Sequence, residues 1–176
     1  YCELARLGHE VSVEFDIADA VTEEAVALFK PDLIIAPFLK RAIPESIWSR
    51  HCCLIVHPGV PGDRGPSALD WAIRSGLGEW GVTVLQAEAE MDAGPIWASA
   101  TFPMRQARKS SIYRNEVTEA AVQAVLAATM KATAGPRVNR KNDANLKSWR
   151  VPGQAQALRQ PADRAIDRHG ESTALI

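Results

Sequence analysis

The chain has 176 residues, of which 47% are hydrophobic and 23% charged, with a formal net charge of −1. These values are ordinary for one globular domain, and they exclude a broad basic surface for nucleic acid or anionic membranes. No apolar run is long enough to cross a bilayer. The three cysteines, Cys2, Cys52 and Cys53, form no CxxC pair, so we expect a reduced cytoplasmic protein without a metal site.

Helix and strand patterns alternate along the first half of the chain. Val11, Val13 and Phe15 alternate with polar neighbours, which predicts a strand. Thr22 is followed by two glutamates, which is typical of a helix N-terminus. Further helix patterns and short apolar runs predict helices at 2–7 and 44–50 and buried strands at 33–36 and 53–56.

The second half continues in the same way up to residue 135. Ser67 with Asp70 resembles a capping box for a helix over 68–75. Strands are predicted at 81–85 and 97–102, and we expect Trp71 and Trp80 to be core residues. A long amphipathic helix is predicted over 111–131, with one apolar face formed by Ile112, Val117, Ala121 and Val125.

This alternation predicts an α/β fold with a mostly parallel sheet and flanking helices. Because the chain opens inside a helix pattern, the first strand of such a fold is expected upstream of Tyr1. The periodicity fades after Gly135 and Pro136. We therefore expect a catalytic domain at 1–135, truncated at its start, and a linker with the beginning of a second, smaller domain at 136–176.

His57 and Asp92 are the residues best placed for chemistry. His57 stands at the carboxyl end of a predicted strand, where ligands bind in open α/β sheets, and a loop rich in glycine and proline follows it. Asp92 lies in a turn after another strand. A histidine exchanges protons near neutral pH, and a carboxylate beside it fixes its tautomer. The alternative is an unconnected loop histidine and turn aspartate.

Two motifs make the sequence familiar. Residues 55–66, Ile-Val-His-Pro-Gly-Val-Pro-Gly-Asp-Arg-Gly-Pro, and the following 71–73, Trp-Ala-Ile, resemble the first signature of the formyltransferase superfamily. Residues 81–85 and 91–96 are similar to its second signature, in the same order and spacing. The resemblance extends over about 33–130. It implies a Rossmann-like formyltransferase fold and transfer of a formyl group from 10-formyltetrahydrofolate.

The sequences of these motifs are similar to the N-terminal module of hydrogenase maturation factors of the HypX (HoxX) family. Residues 159–167 also resemble the start of that family's second, smaller domain. The resemblance implies that coenzyme A accepts the formyl group through its thiol, in making the carbon monoxide ligand of nickel–iron hydrogenase. It also implies a downstream crotonase-like domain in the same chain and other hydrogenase maturation proteins as partners.

The resemblance also assigns roles to residues. It implies that His57 and Asp92 handle protons, but Ile55 stands where the superfamily has an asparagine that hydrogen-bonds the developing oxyanion. Losing such a donor costs about a hundred- to a thousand-fold in rate, so a replacement donor or a more reactive acceptor is needed. The residues implied to contact the folate or acceptor are Phe38, Leu39, Lys40, Arg41, Gly59, Val60, Arg64 and Met91.

Other interpretations remain beside these. Residues 38–41 equally fit a solvated basic loop, and Arg64 a structural salt bridge. The domain as a whole fits a 10-formyltetrahydrofolate hydrolase, with water as acceptor, or a non-catalytic folate-binding module. A dinucleotide site is disfavoured because no GxGxxG follows a strand.

Overall fold

The computed structural model describes residues 1–15 and 17–134, and the predicted second domain at 136–176 lies outside them. Four strands form one sheet: β1 Ile34–Pro37, β2 Cys53–His57, β3 Glu79–Gln86 and β4 Ile96–Pro103. The helices are α1 Cys2–Arg6, α2 Asp19–Phe29, α3 Glu45–Trp48, α4 Ala68–Arg74, α5 Lys109–Ile112 and α6 Thr118–Ala134. A π-helical segment, Tyr113–Val117, joins α5 to α6.

The strands lie in the order β1-β2-β3-β4. The α/β class with flanking helices is confirmed, but the prediction of a mostly parallel sheet is wrong for the described strands. Only β1 and β2 pair in parallel, whereas β2–β3 and β3–β4 are antiparallel. Strand direction depends on where each connection returns the chain. An apolar run reads the same in either direction, so the sequence pattern carries no such information.

The two faces of β2 pack against different parts of the core. Leu54 and Val56 are fully buried in the main apolar cluster, which includes Val82 and Val84 of β3. Side chains alternate along a strand, so Cys53, Ile55 and His57 share the other face. That face packs on a smaller cluster, which joins Ile47 of α3 to Cys53. His57 therefore ends the strand on the side with the smaller core.

The long final helix covers the main cluster. Ile112, Val117 and Ala121 are buried, as the predicted amphipathic face requires. Small residues at helical spacing, Ala120, Ala124 and Ala128, complete the contact with β3 and β4. The predicted start at 111 and end at 131 are within a turn of the observed limits.

None of the helices in 1–15 and 17–134 has the length and apolarity needed to cross a membrane.

Several local predictions are wrong. Residues 11–15 form no strand, and Val13 and Phe15 are exposed. Thr22 lies inside α2, which begins at Asp19 after the N-cap Ala18. Its hydroxyl donates a hydrogen bond to the Ala18 carbonyl at 3.2 Å instead of capping the helix. Hydroxyl side chains bond to nearby backbone both at caps and within helices, so the residue type alone left the boundary open.

Two predictions around α4 also fail. Ser67 precedes the helix in a left-handed conformation and makes no side-chain cap. Asp70, the presumed other half of the capping box, instead pairs with Lys109 at 2.5 Å. Trp71 is exposed and lies beside the Arg74 guanidinium, 5.3 Å from the ring centre, whereas Trp80 is buried as predicted. A long-range partner, Lys109, occupies the Asp70 carboxylate, whereas Trp71 lies on the outer side of the helix beside a residue of the same helix.

Cys52 and Cys53 are buried free thiols, as expected. Burial raises the pKa of Cys52 to about 11 and that of Cys53 to about 12. At pH 8 only about one Cys52 in a thousand is then the reactive thiolate.

We predict that iodoacetamide labels exposed Cys2 first and reaches the buried pair only in denaturant, as peptide mass spectrometry would show. Equal labelling of all three in the folded protein would contradict this.

Candidate active site

His57 is buried at the carboxyl end of β2, with 5% of its side chain exposed. Two carboxylates flank its ring. Asp63, in the loop after β2, places Oδ2 2.8 Å from Nε2, within hydrogen-bond distance. Asp92, in the turn after β3, places Oδ2 3.4 Å from Nδ1, at ion-pair distance. The structure therefore brings His57 and Asp92 together and adds Asp63.

The loop that carries Asp63 is held tightly on the sheet. The Trp80 indole N–H donates to the Pro58 carbonyl at 3.0 Å, and the Thr83 hydroxyl donates to the Gly59 carbonyl at 2.7 Å. Gly59 has no room for a side chain, because a Cβ there would overlap both the His57 ring and the Asp63 carboxylate. The glycine thus lets the loop fold directly over the imidazole. Gly59, which was predicted to contact a ligand, therefore lies against the His57 ring.

The turn that carries Asp92 is fixed in a similar way. Asp92 adopts a left-handed conformation with φ of 53°, and its Oδ2 accepts the Gly65 backbone N–H at 3.0 Å. The Gln86 N–H donates to the Pro95 carbonyl at 2.9 Å, which closes the turn against the end of β3. Gly94 lies so close to the Gln86 carbonyl that a Cβ would collide with it. With 8% of its side chain exposed, Asp92 is a buried partner of the ring.

An imidazole between two carboxylates is suited to handling protons. A neutral ring has one N–H and one lone pair, so it can donate to only one of the two acceptors. The protonated ring donates to both. The arrangement can therefore hold a proton at either ring nitrogen and release it to a group that replaces one carboxylate.

Ile55 lies two residues before His57 on the same sheet face. It pairs with Ala36 of β1 and Leu85 of β3 and packs against the smaller apolar cluster. Its side chain offers no hydrogen-bond donor. A buried polar group at this position would require a partner in an apolar region, which is costly. The departure from the family pattern that the resemblance implies is thus matched by apolar surroundings.

The segment predicted to line the pterin pocket begins directly after β1. The Phe38 N–H donates to the Val56 carbonyl at 3.1 Å, so the segment starts beside the strand that carries His57. The Phe38 ring, however, packs edge-on against Tyr113 at 5.8 Å. Leu39 and Lys40 are exposed, and Arg41 is paired with Asp19 of α2.

The remaining residues predicted to contact a ligand lie in the loop after β2 and in the turn that carries Asp92. Val60 packs against the main apolar cluster, and Met91 is exposed beside Asp92. Arg64 pairs with Glu90 at 2.6 Å, which is the structural salt bridge weighed as its alternative role. This pair links the His57 loop to the Asp92 turn. Exposed pairs contribute at most about 1 kcal/mol, so it leaves Arg64 available to an anionic ligand.

Sequence reasoning missed Asp63 as a site residue. It lies six positions after His57, separated by Gly59 and Gly62, and the positive φ of 92° at Gly62 helps the chain to turn back. A carboxylate after two glycines in a loop that follows a histidine was the available signal.

Within the described ranges, no group of three or more His, Cys, Asp or Glu side chains is arranged to hold a metal ion.

Two hydrogenase maturation proteins are similar to this chain, one compared by sequence and one by structure. The hydrogenase maturation factor HoxX of Bradyrhizobium diazoefficiens is 56% identical over all 176 residues, and the chain spans 30% of its length. A crystal structure of HypX from Aquifex aeolicus, in complex with tetrahydrofolic acid, matches 77% of this chain with a TM-score of 0.74 and 61% identity; the match covers 24% of that protein. The chain thus spans less than a third of either protein.

A more distant relative and a family model also match this chain. The methionyl-tRNA formyltransferase of Halalkalibacterium halodurans is 30% identical over 65% of this chain, which corresponds to 37% of that enzyme. The formyl transferase family model matches residues 13–129, a range that contains His57, Asp63 and Asp92. The resemblance inferred from the two motifs is confirmed, and the chain belongs to the formyl transferase family.

Proposed function

We propose that this chain is a folate-dependent formyl-transfer domain, in which His57 handles the proton that accompanies transfer. The observation that carries this proposal is the buried His57 ring at the end of β2, flanked by Asp63 at 2.8 Å and Asp92 at 3.4 Å. Its setting in a member of the formyl transferase family gives the geometry its chemical meaning. The reaction would take a formyl group from 10-formyltetrahydrofolate.

A reduced folate as donor is supported by the HypX structure, which is described as a complex with tetrahydrofolic acid. In this chain, the segment 38–41 and the loop 58–66 both begin at the carboxyl ends of neighbouring parallel strands. Ligands bind at that edge in open α/β sheets. We place the pterin beside the backbone of Phe38 to Arg41, and the formyl-bearing nitrogen beside His57.

His57 would supply a proton to N10 of the folate. As the acceptor attacks the formyl carbon, a new bond to carbon forms and the carbonyl electrons move to oxygen. When the carbonyl reforms, the carbon–N10 bond breaks and its electron pair stays on nitrogen. That nitrogen leaves as an amine only when a proton reaches it, and the ring is positioned to deliver one. Asp92 orients the ring through Nδ1.

A thiol acceptor fits this site better than an amine. Ile55 provides no amide for the oxyanion, and its surroundings are apolar. A thiol with a pKa of about 8.5 is partly ionised at neutral pH and is a strong nucleophile, so it requires less help. Coenzyme A is the acceptor that we propose, and the thioester would serve the maturation of nickel–iron hydrogenase. The identity with HoxX supports that assignment.

Because the chain spans 30% of HoxX, a further domain would act on the formyl product, and we propose a crotonase-like one. Other hydrogenase maturation proteins would be its partners. The free thiols of Cys52 and Cys53 fit a reducing cytoplasm.

We expect the full-length protein to release tetrahydrofolate and a formyl thioester when 10-formyltetrahydrofolate and coenzyme A are both supplied. Desulfo-coenzyme A, which lacks the thiol, is the matched control and should give no product. Both products are measured by mass spectrometry. Free formate produced at the same rate without coenzyme A would identify a hydrolase instead. Folate binding without turnover under any condition would identify a binding module.

A further inference from the structure

Resting on the function proposed above, we infer that Asp63 is a positioning residue that keeps a proton on Nε2 of His57. The ring would then enter the reaction as a proton donor and not as a base. Asp63 lies outside the family pattern from which the roles of His57 and Asp92 were inferred. Its role follows from contacts of this structure alone.

The two carboxylates make unequal contacts with the ring. The 2.8 Å distance from Nε2 to Asp63 is that of a hydrogen bond, whereas Asp92 lies 3.4 Å from Nδ1. An ionised carboxylate only accepts, so Nε2 must carry the proton in the shorter contact. If Nδ1 had no proton, its lone pair would face the Asp92 carboxylate. Protonation of both nitrogens satisfies both contacts.

The Asp63 contact is built into the loop. The Asp63 N–H donates to the Val60 carbonyl at 2.9 Å, which forms a turn around Pro61 and Gly62. A side chain at Gly59 would strike both the ring and the carboxylate, so the glycine keeps space for the contact. Asp63 is 25% exposed against 8% for Asp92. Water therefore reaches the Asp63 carboxylate.

No cation neutralises this arrangement in the part of the chain that the structure describes. The charged groups recorded against the ring are Asp63 from the loop and Asp92 from the turn. The next charges along these two segments, Arg64 and Glu90, pair with each other at 2.6 Å. Opposite His57 on β3 stands Thr83, whose hydroxyl is uncharged and donates to the Gly59 carbonyl.

A ring held in this state explains how the site works without the family's asparagine. The Nε2–H group is a donor that can replace the missing amide near Ile55. Because Asp63 is partly exposed, its carboxylate can withdraw toward water when the substrate takes its place. The thiol proton leaves to water, sulfur bonds to the formyl carbon, and the Nε2 proton moves to N10. Water then restores the proton on the ring.

The consequence is selectivity for an acceptor that ionises unaided. A thiol with a pKa of about 8.5 meets this requirement, whereas a lysine-type amine with a pKa of about 10 has no base to deprotonate it. Asp63 would thus tie the acceptor class to the protonation state of His57. The site then transfers to thiols because its histidine is a donor from the start.

The test is nitrogen NMR of the full-length protein labelled with ¹⁵N-histidine, free of ligands at pH 7. The chain has four histidines, and His57→Gln identifies the relevant signals by their loss. We expect Nε2 of His57 to carry a proton in the parent and a lone pair in Asp63→Asn. Asp63→Glu should restore the parent state. Asp70→Asn, which removes a carboxylate paired with Lys109, is the matched control and should change nothing.

Transfer to coenzyme A should fall about a hundredfold in Asp63→Asn, a loss at the low end for general acid catalysis, and recover in Asp63→Glu. A parent ring with an unprotonated Nε2, or identical ring signals in the parent and Asp63→Asn, would overturn the inference. The NMR result needs no turnover. If the parent makes no formyl thioester while its ring signals respond to Asp63, the proposed function fails and the role of Asp63 stands.

Discussion

Replacing His57 with glutamine is expected to lower formyl transfer by about a hundred- to ten-thousand-fold, the range for loss of a general acid or base. Glutamine nearly preserves the size of the buried side chain but cannot exchange a proton near neutral pH. The pterin would be held by the segment 38–41 and not by the ring, so folate affinity should stay within a few-fold. Single-turnover transfer and folate titration measure the two effects separately.

The matched control is His51→Gln. His51 lies just before β2, at the opposite end of the strand from the carboxylates, and its recorded hydrogen bond is made by its backbone N–H. It should keep the parent rate. Unchanged turnover in His57→Gln would remove His57 from the chemistry. An equal loss in both variants would point to folding of β2 as the cause.

The position of His57 could be predicted from sequence because it depends on local information. The apolar run at 53–56 is short, it is bounded by a glycine- and proline-rich loop, and its end lies where α/β sheets bind ligands. Asp92 was a candidate on a similar signal, a carboxylate in a turn after a strand, and the resemblance assigned its role. That the two side chains meet is a fact of topology, since β2 and β3 are neighbours.

What the sequence left open depends on loop conformation and on which strands pair. Asp63 reaches His57 only because Gly59 and Gly62 let the loop turn back over the ring. The alternating residues at 11–15 have the strand pattern, but they have no neighbour that pairs with them among the described residues. A strand pattern describes a surface that suits pairing, and a partner must still be present.

The exposure of Trp71 illustrates the same limit on an aromatic residue. Its position on α4 leaves it beside Arg74 on the outer side of the helix, while Leu69 and Ala72 face the core. Helical periodicity around a single tryptophan does not fix which side of a seven-residue helix is buried. Trp80 is buried in the main apolar cluster, and its indole N–H donates to the Pro58 carbonyl in the loop that carries Asp63.

The second large effect is expected from Gly94→Ala, which should destabilise the domain by about 3 kcal/mol or more, the upper end for overpacking. A Cβ at Gly94 would overlap the Gln86 backbone carbonyl, and backbone cannot rotate away as a flexible side chain can. The turn must then move off β3 and carry Asp92 away from the His57 ring. Urea denaturation measures the stability, and transfer to coenzyme A should fall at least about tenfold in the remaining folded protein.

Gly78→Ala is the matched control, because the same methyl group added just before β3 meets no atom within 4 Å and requires no unusual backbone angle. It should keep the parent stability within about 0.5 kcal/mol, as surface substitutions usually do. The two variants separate the effect of losing a glycine's flexibility from the effect of the collision at Gly94.

If Gly94→Ala were as stable as Gly78→Ala and fully active, the turn could move away from β3 without a cost in stability. Asp92 would then not depend on that contact to face the ring. A stable but inactive Gly94→Ala would instead show that a shift of the turn too small to unfold the domain is enough to separate the carboxylate from Nδ1.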